Sequence, residues 1–129
     1  MNILGISCYY HDSAASLLMD GKIKAAAEEE RFNREKHSSK FPTRAIDFCL
    51  QRGNITIRDI DYVGFYEKPF LKFERFIVNH LRSYPYSIRN FIRETPQWLD
   101  KRLTIPIKLE NEIGYEGDTL FIKHHLSHA

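Results

Sequence analysis

The chain has 129 residues, of which 43% are hydrophobic and 28% charged, with a formal net charge of +2. That length supports one domain with a real core. The near-balanced charge argues against a nucleic-acid partner or a membrane surface. No apolar run approaches the roughly 18 residues of a membrane span. Cys8 and Cys49 lack any CxxC spacing and no signal peptide is evident, so the expectation is a cytoplasmic protein with two reduced, buried thiols.

Asn2 to Cys8 (NILGISC) reads as a buried strand. Tyr9 to Ser13 breaks it with polar, turn-tolerant residues, and Ala14 to Met19 (AASLLM) reads as a second strand. Asp20-Gly21 is a strong two-residue hairpin signal of type I′, and Lys22 to Glu28 (KIKAAAE) reads as the third strand of an antiparallel meander. Glu28 to His37 is a dense charge run, expected to be a solvated loop or helix face. Phe41-Pro42 opens a helix with Pro42 in its first turn. Ala45, Ile46, Cys49 and Leu50 repeat with helical spacing, and Gly53 is the expected C-terminal stop. Thr56 to Ile60 is a short connector, and Tyr62 to Tyr66 (YVGFY) a fourth strand.

Residues 67–110 suggest three helices. Phe70, Phe73, Phe76, Ile77 and Leu81 mark the first. A break at Tyr84-Pro85-Tyr86 precedes a second on Ile88, Phe91 and Ile92. Trp98, Leu99, Leu103, Ile107 and Leu109 mark a third, interrupted at Pro106. The aromatics here are expected to be core or a covering lid. Thr119 to Ile122 (TLFI) reads as a fifth strand running into Lys123-His124-His125. There are no repeats and no low-complexity stretches.

Three clusters could carry chemistry. The His11-Asp12-Ser13 turn offers backbone N–H groups, a hydroxyl and a possible base, as turns that cradle phosphates do. Asp and Ser are also common in ordinary turns. In the charge run, Lys36 could neutralise a phosphate or carbamoyl oxygen, and His37 could exchange protons near neutral pH. A plain solvated face is the competing reading. The chain closes on His124-His125-Leu126-Ser127-His128-Ala129. On a helix His124 and His128, four apart, would lie one above the other and could share a metal. Exposed histidines at a frayed end, or a tag remnant, would look similar.

Taken together, the motifs resemble the N-terminal part of the O-carbamoyltransferase family of nodulation and antibiotic-tailoring enzymes. The stretches that carry the resemblance are Ile3-Leu4-Gly5-Ile6-Ser7, His11-Asp12-Ser13-Ala14-Ala15, Asp20-Gly21 and Glu28-Glu29-Glu30-Arg31-Phe32. Arg34-x-Lys36-His37, Phe41-Pro42, Glu67-Lys68-Pro69-Phe70 and the closing His124-His125-Leu126-Ser127-His128-Ala129 complete them. The order and spacing are specific, although each motif alone is not.

The resemblance implies an α/β fold: the ribonuclease H-like half of a domain of the actin, Hsp70 and sugar-kinase group, with a β-β-β-α-β start. Residues 1–129 would be the N-terminal portion of the catalytic domain. The rest of that domain, and a C-terminal domain that makes carbamoyladenylate from carbamoyl phosphate and ATP, would be missing. The reaction implied is carbamoyl transfer to an acceptor hydroxyl on a small molecule. By position, His11 matches a general base and Lys36 a residue contacting carbamoyladenylate, while Asp12 and Ser13 line the hairpin tip. His124 and His128 match a metal pair, the metal being a divalent ion, Fe2+ in such enzymes, with an aspartate far downstream as third ligand. The chain alone is expected to be inactive in full turnover and to self-associate through apolar surface at its edge. Two other readings stand beside this one: a tRNA threonylcarbamoyl-transfer protein, and a non-catalytic actin-like half-domain that binds a partner.

Overall fold

Alternating apolar residues and one local turn build the first sheet half. In the computed structural model, which describes residues 1–9, 12–66, 69–101 and 104–122, the meander is β1 (Asn2–Ser7), β2 (Ala14–Met19) and β3 (Lys22–Glu28). Between β2 and β3, Asp20 and Gly21 both have positive φ, 49° and 77°. A type I′ turn needs that at its two central positions, and Asp and Gly are residues that tolerate it. β2 pairs antiparallel with β1 and with β3, with an irregularity between Leu17 and Leu18 where Lys24 is passed over in the register.

Next come α1 (Glu30–Asn33), α2 (Thr43–Gly53), a 3-10 turn (Ile57–Asp59) and β4 (Tyr62–Phe65). α3 (Pro69–Arg82), α4 (Ile88–Lys101), α5 (Ile105–Ile113) and β5 (Asp118–Phe121) follow. The sheet order is β3-β2-β1-β4-β5. β4 runs parallel to β1, and β5 parallel to β4. Each parallel step needs a long crossover. The first contains α2 and the second contains α3 to α5.

The core lies on one face of this mixed sheet. Leu4, Ile6, Ala15, Leu17, Val63 and Phe65 pack there with Ala45, Ile46 and Cys49 of α2 and Ile105 and Leu109 of α5. The alternate residues, among them Ile3, Gly5, Ser7, Ala14, Ser16, Ala26 and Gly64, point to the opposite face. There they line a broad open cavity of about 940 Å³.

Two expectations need correction. Pro42 sits one position before the first helical residue, and its carbonyl accepts the Ile46 N–H at 3.0 Å. Gly53 is the last residue of α2, as expected. Asn54, at φ 52°, takes the left-handed C-terminal position, and its N–H bonds to the carbonyls of Gln51 and Leu50. The missing side chain of Gly53 serves packing instead, since a Cβ there would come within 2.5 Å of Leu17 Cδ2. Pro106 begins α5 where interruption of a helix was expected, because proline lacks only an N–H that the first turn leaves unbonded anyway. Trp98 and Leu99 accordingly belong to α4.

The described aromatics between residues 73 and 96 also divide differently. Phe76 of α3 stacks on Phe91 of α4 at 5.5 Å, with the His80 ring tilted beside it at 4.3 Å, forming a seam between the two helices. Leu81, Tyr84, Tyr86, Ile88 and Ile92 are exposed. Among the described residues, none from these two helices joins the main core. The expected cysteine state holds in the fold: Cys8 and Cys49 are free and buried, and desolvation raises both thiol pKa values. No helix among the described residues is long and apolar enough to cross a membrane.

Candidate functional site

Because β1, β4 and β5 are parallel, their C-terminal ends share one edge, with Ile6 opposite Phe65 and Phe65 opposite Phe121. In open α/β sheets this edge is where ligands bind. The chain leaves β1 there into the 8–13 hairpin tip. Neighbouring groups gather at the same edge. The Tyr66 hydroxyl donates to the Cys8 carbonyl at 3.4 Å, and Lys108 of α5 sets its ammonium 4.9 Å from the centroid of the Tyr9 ring.

The tip is held by the loop before α2. The Tyr9 N–H donates to the Ser39 carbonyl at 2.9 Å and the Ser13 N–H to the Ser38 carbonyl at 2.8 Å. The Ser13 hydroxyl donates to the Lys40 carbonyl. Ser13 is 1% exposed, so both its donors are spent inside the protein. A final contact joins side chains: His37 Nδ1 lies 2.9 Å from Asp12 Oδ1, and the His37 N–H donates to Glu30 Oε2 at 3.3 Å. Asp12 raises the His37 pKa by its hydrogen bond and its charge, with a smaller push from Glu30 against some desolvation. Tyr9, Asp12, Arg34 and His37 all have positive φ, between 49° and 69°. Four such residues in two facing loops store strain, which proteins keep where surrounding contacts enforce it.

Glu29 is the residue that the charge pattern hid. The run is mostly solvated as expected, but Glu29 is 5% exposed and its carboxylate accepts the Ala45 N–H at 2.8 Å. Ala45 lies in the first turn of α2, where N–H groups lack helical partners and negative charge is favoured. The Glu29 N–H in turn donates to the Ser13 carbonyl at 2.8 Å. One residue thus couples the end of β3, the start of α2 and the hairpin tip. The sequence signal was an acid two residues past nothing but alanines, which periodicity alone does not distinguish from its neighbours.

The residues singled out by sequence fall as follows. Asp12, Ser13 and His37 are brought together at the tip. Lys36 is exposed on the same loop and forms no ion pair among the described residues, whereas Lys40 pairs with Glu35 at 2.9 Å. His11, His124 and His128 lie outside the described residues. Among the described residues there is no cluster of three His, Cys, Asp or Glu side chains able to hold a metal ion.

Comparison with known proteins gives a consistent family. Residues 2–129 match the family model described as "Carbamoyltransferase N-terminus". An uncharacterized protein of Synechocystis is 44% identical over 136 aligned residues, covering 99% of this chain and 22% of the relative. The nodulation protein NolNO of Sinorhizobium fredii is 38% identical over 128 residues, covering 94% of this chain and 17% of NolNO. The chain therefore spans about a fifth of the length of these two relatives. With the family match running over nearly every residue, the chain belongs to the carbamoyltransferase family and corresponds to its N-terminal region.

Proposed function

We propose that this chain forms the acceptor-side portion of an ATP-dependent O-carbamoyltransferase. In this reading the carbamoyl group comes from carbamoyladenylate, made from carbamoyl phosphate and ATP, and goes to an acceptor hydroxyl on a small molecule. The observation that carries the reading is the shared edge of β1, β4 and β5, from which the hairpin tip emerges and beside which the 34–40 loop packs. The observed order β3-β2-β1-β4-β5, with an antiparallel meander followed by parallel strands, supports a ribonuclease H-like half-domain of the actin group.

Each residue has a role that suits its chemistry. His11 takes the proton of the attacking hydroxyl, a task for an imidazole titrating near working pH. Lys36, exposed and without an ion-pair partner among the described residues, is available to an anionic or carbonyl oxygen of the donor. Asp12 shapes the tip, and Ser13 fixes it from inside through the Lys40 carbonyl. His124 and His128 are proposed as two ligands of a divalent metal, Fe2+ by family resemblance. When bound, such an ion would stabilise negative charge on the carbonyl oxygen.

The test uses the gene's full product with carbamoyl phosphate, ATP and a panel of hydroxyl acceptors, read by mass spectrometry. A carbamoylated acceptor is expected. His11→Ala should lower transfer by about 10²–10⁴-fold while sparing carbamoyladenylate formation. Absence of any carbamoylated product across the panel, with no ATP turnover, would sink the reading. Metal analysis of the His124→Ala/His128→Ala variant should show reduced occupancy.

A further inference from the structure

Among the described residues, the hairpin tip and the 34–40 loop meet through four contacts of unequal kind. Three are neutral bonds onto the backbone carbonyls of Ser38, Ser39 and Lys40. The fourth, His37 Nδ1 to Asp12 Oδ1 at 2.9 Å, joins two side chains and is strongest when the imidazole is protonated. Its two side chains are 80% and 46% exposed, so solvent protons reach them freely. Both residues also hold left-handed backbone, φ 56° for His37 and 49° for Asp12. That geometry aims the two side chains at each other across a gap of 25 residues in sequence.

We propose that the Asp12–His37 contact is a pH-sensitive clasp that holds the tip, which carries His11, against the loop, which carries Lys36. The clasp rests on the carbamoyl-transfer reading for its purpose and on the geometry alone for its existence. Asp12 and His37 are positioning residues here: they fix where the tip sits against the loop. Misplacing reacting groups by about 1 Å can cost roughly 10²-fold in rate.

The charges around His37 decide when the clasp is closed. Asp12 faces it from the tip and Glu30 from α1, both favouring imidazolium. On its own loop stand Arg34, Lys36 and the Lys40–Glu35 pair, the last of which is internally neutral. The folded pKa lies above the ordinary 6.5. The charged contact is therefore fully present below that ordinary value and is lost as pH rises through the raised one.

The experiment has two arms. The first is amide exchange by NMR on the 129-residue chain, following Tyr9 and Ser13, whose N–H groups bond to the loop. In His37→Ala both should exchange about tenfold faster, with the Asp20–Gly21 hairpin unchanged. His37→Asn keeps an N–H donor and tolerates positive φ. It should restore protection and make it independent of pH between about 6 and 8. Equal protection in wild type and His37→Ala would overturn the clasp. The second arm measures transfer in the gene's full product. His37→Ala should lower kcat by about 10- to 100-fold with a smaller change in KM, and His37→Asn should recover most of it. Wild-type kcat and pH profile in His37→Ala would also overturn the proposal. A wild-type protein that carbamoylates nothing counts against the transfer reading, and the exchange arm then decides the clasp alone.

Discussion

The meander contains two hairpin turns, and they are held in opposite ways. The β2–β3 turn is local: Asp20 and Gly21 adopt the required positive φ, and an added Cβ at Gly21 would meet nothing within 4 Å. The β1–β2 tip is tertiary: its bonds go to residues 37–40, and Glu29 ties it to the start of α2. A turn whose conformation is set by its own two residues, with Met1 beside it, is cheap and nearly autonomous. A turn fixed from across the fold can be tuned by whatever else contacts the loop that holds it.

The largest effect that separates them is expected at Glu29. Glu29→Ala removes a buried carboxylate and strands the Ala45 N–H, costing about 2 kcal/mol in chemical denaturation. Exchange should rise at Tyr9 and Ser13 but not at the β2–β3 turn; uniform loss of protection would break the distinction. Ser13→Ala comes next, at about 1 kcal/mol for the lost bond to the Lys40 carbonyl, again felt at the tip. Gly21→Ala should cost a similar or smaller amount, about 1 kcal/mol, purely from left-handed backbone. Its effect should stay within β2 and β3, and any change in His37 titration would contradict the local character of that turn.

The smallest effect concerns the ion pair beside the local turn. The Met1 ammonium lies 2.6 Å from Asp20 Oδ1, both exposed. The contact holds the Asp20 carboxyl below its ordinary pKa and the Met1 amine above its own. It is thus lost as pH falls through the lowered carboxyl value, and again as pH rises through the raised amine value. In Asp20→Asn the amine should titrate lower than in wild type, as read by NMR. An unchanged titration would show that the pair does not form in solution.

What the sequence revealed follows the same division. β2 and β3 were legible to the residue, because apolar patterning and Asp20-Gly21 are local signals. The end of α2 at Gly53 was legible, but the left-handed cap falls on Asn54, because Gly53 is spent on a contact with Leu17 that no spacing records. The helices after β4 were legible as helices, yet the described aromatics between residues 73 and 96 form a seam and an exposed tip outside the core. At the site, Asp12 and His37 were each visible as polar candidates. Their pairing was not, because it depends on two loops folding back across 25 residues. Glu29 was unreadable for the same reason, its partner lying 16 residues away on another element.

The two cysteines give this molecule an internal clock. Cys8 lies at the base of the hairpin tip and Cys49 in α2, and neither thiol meets solvent or ionises readily in the folded state. Alkylation of each must wait for an opening event, so its rate under fast closing measures the free energy of that event. If the tip can lift from the 34–40 loop while α2 stays docked, Cys8 will be trapped faster than Cys49. If the two move as one body, both thiols will be modified at a single rate.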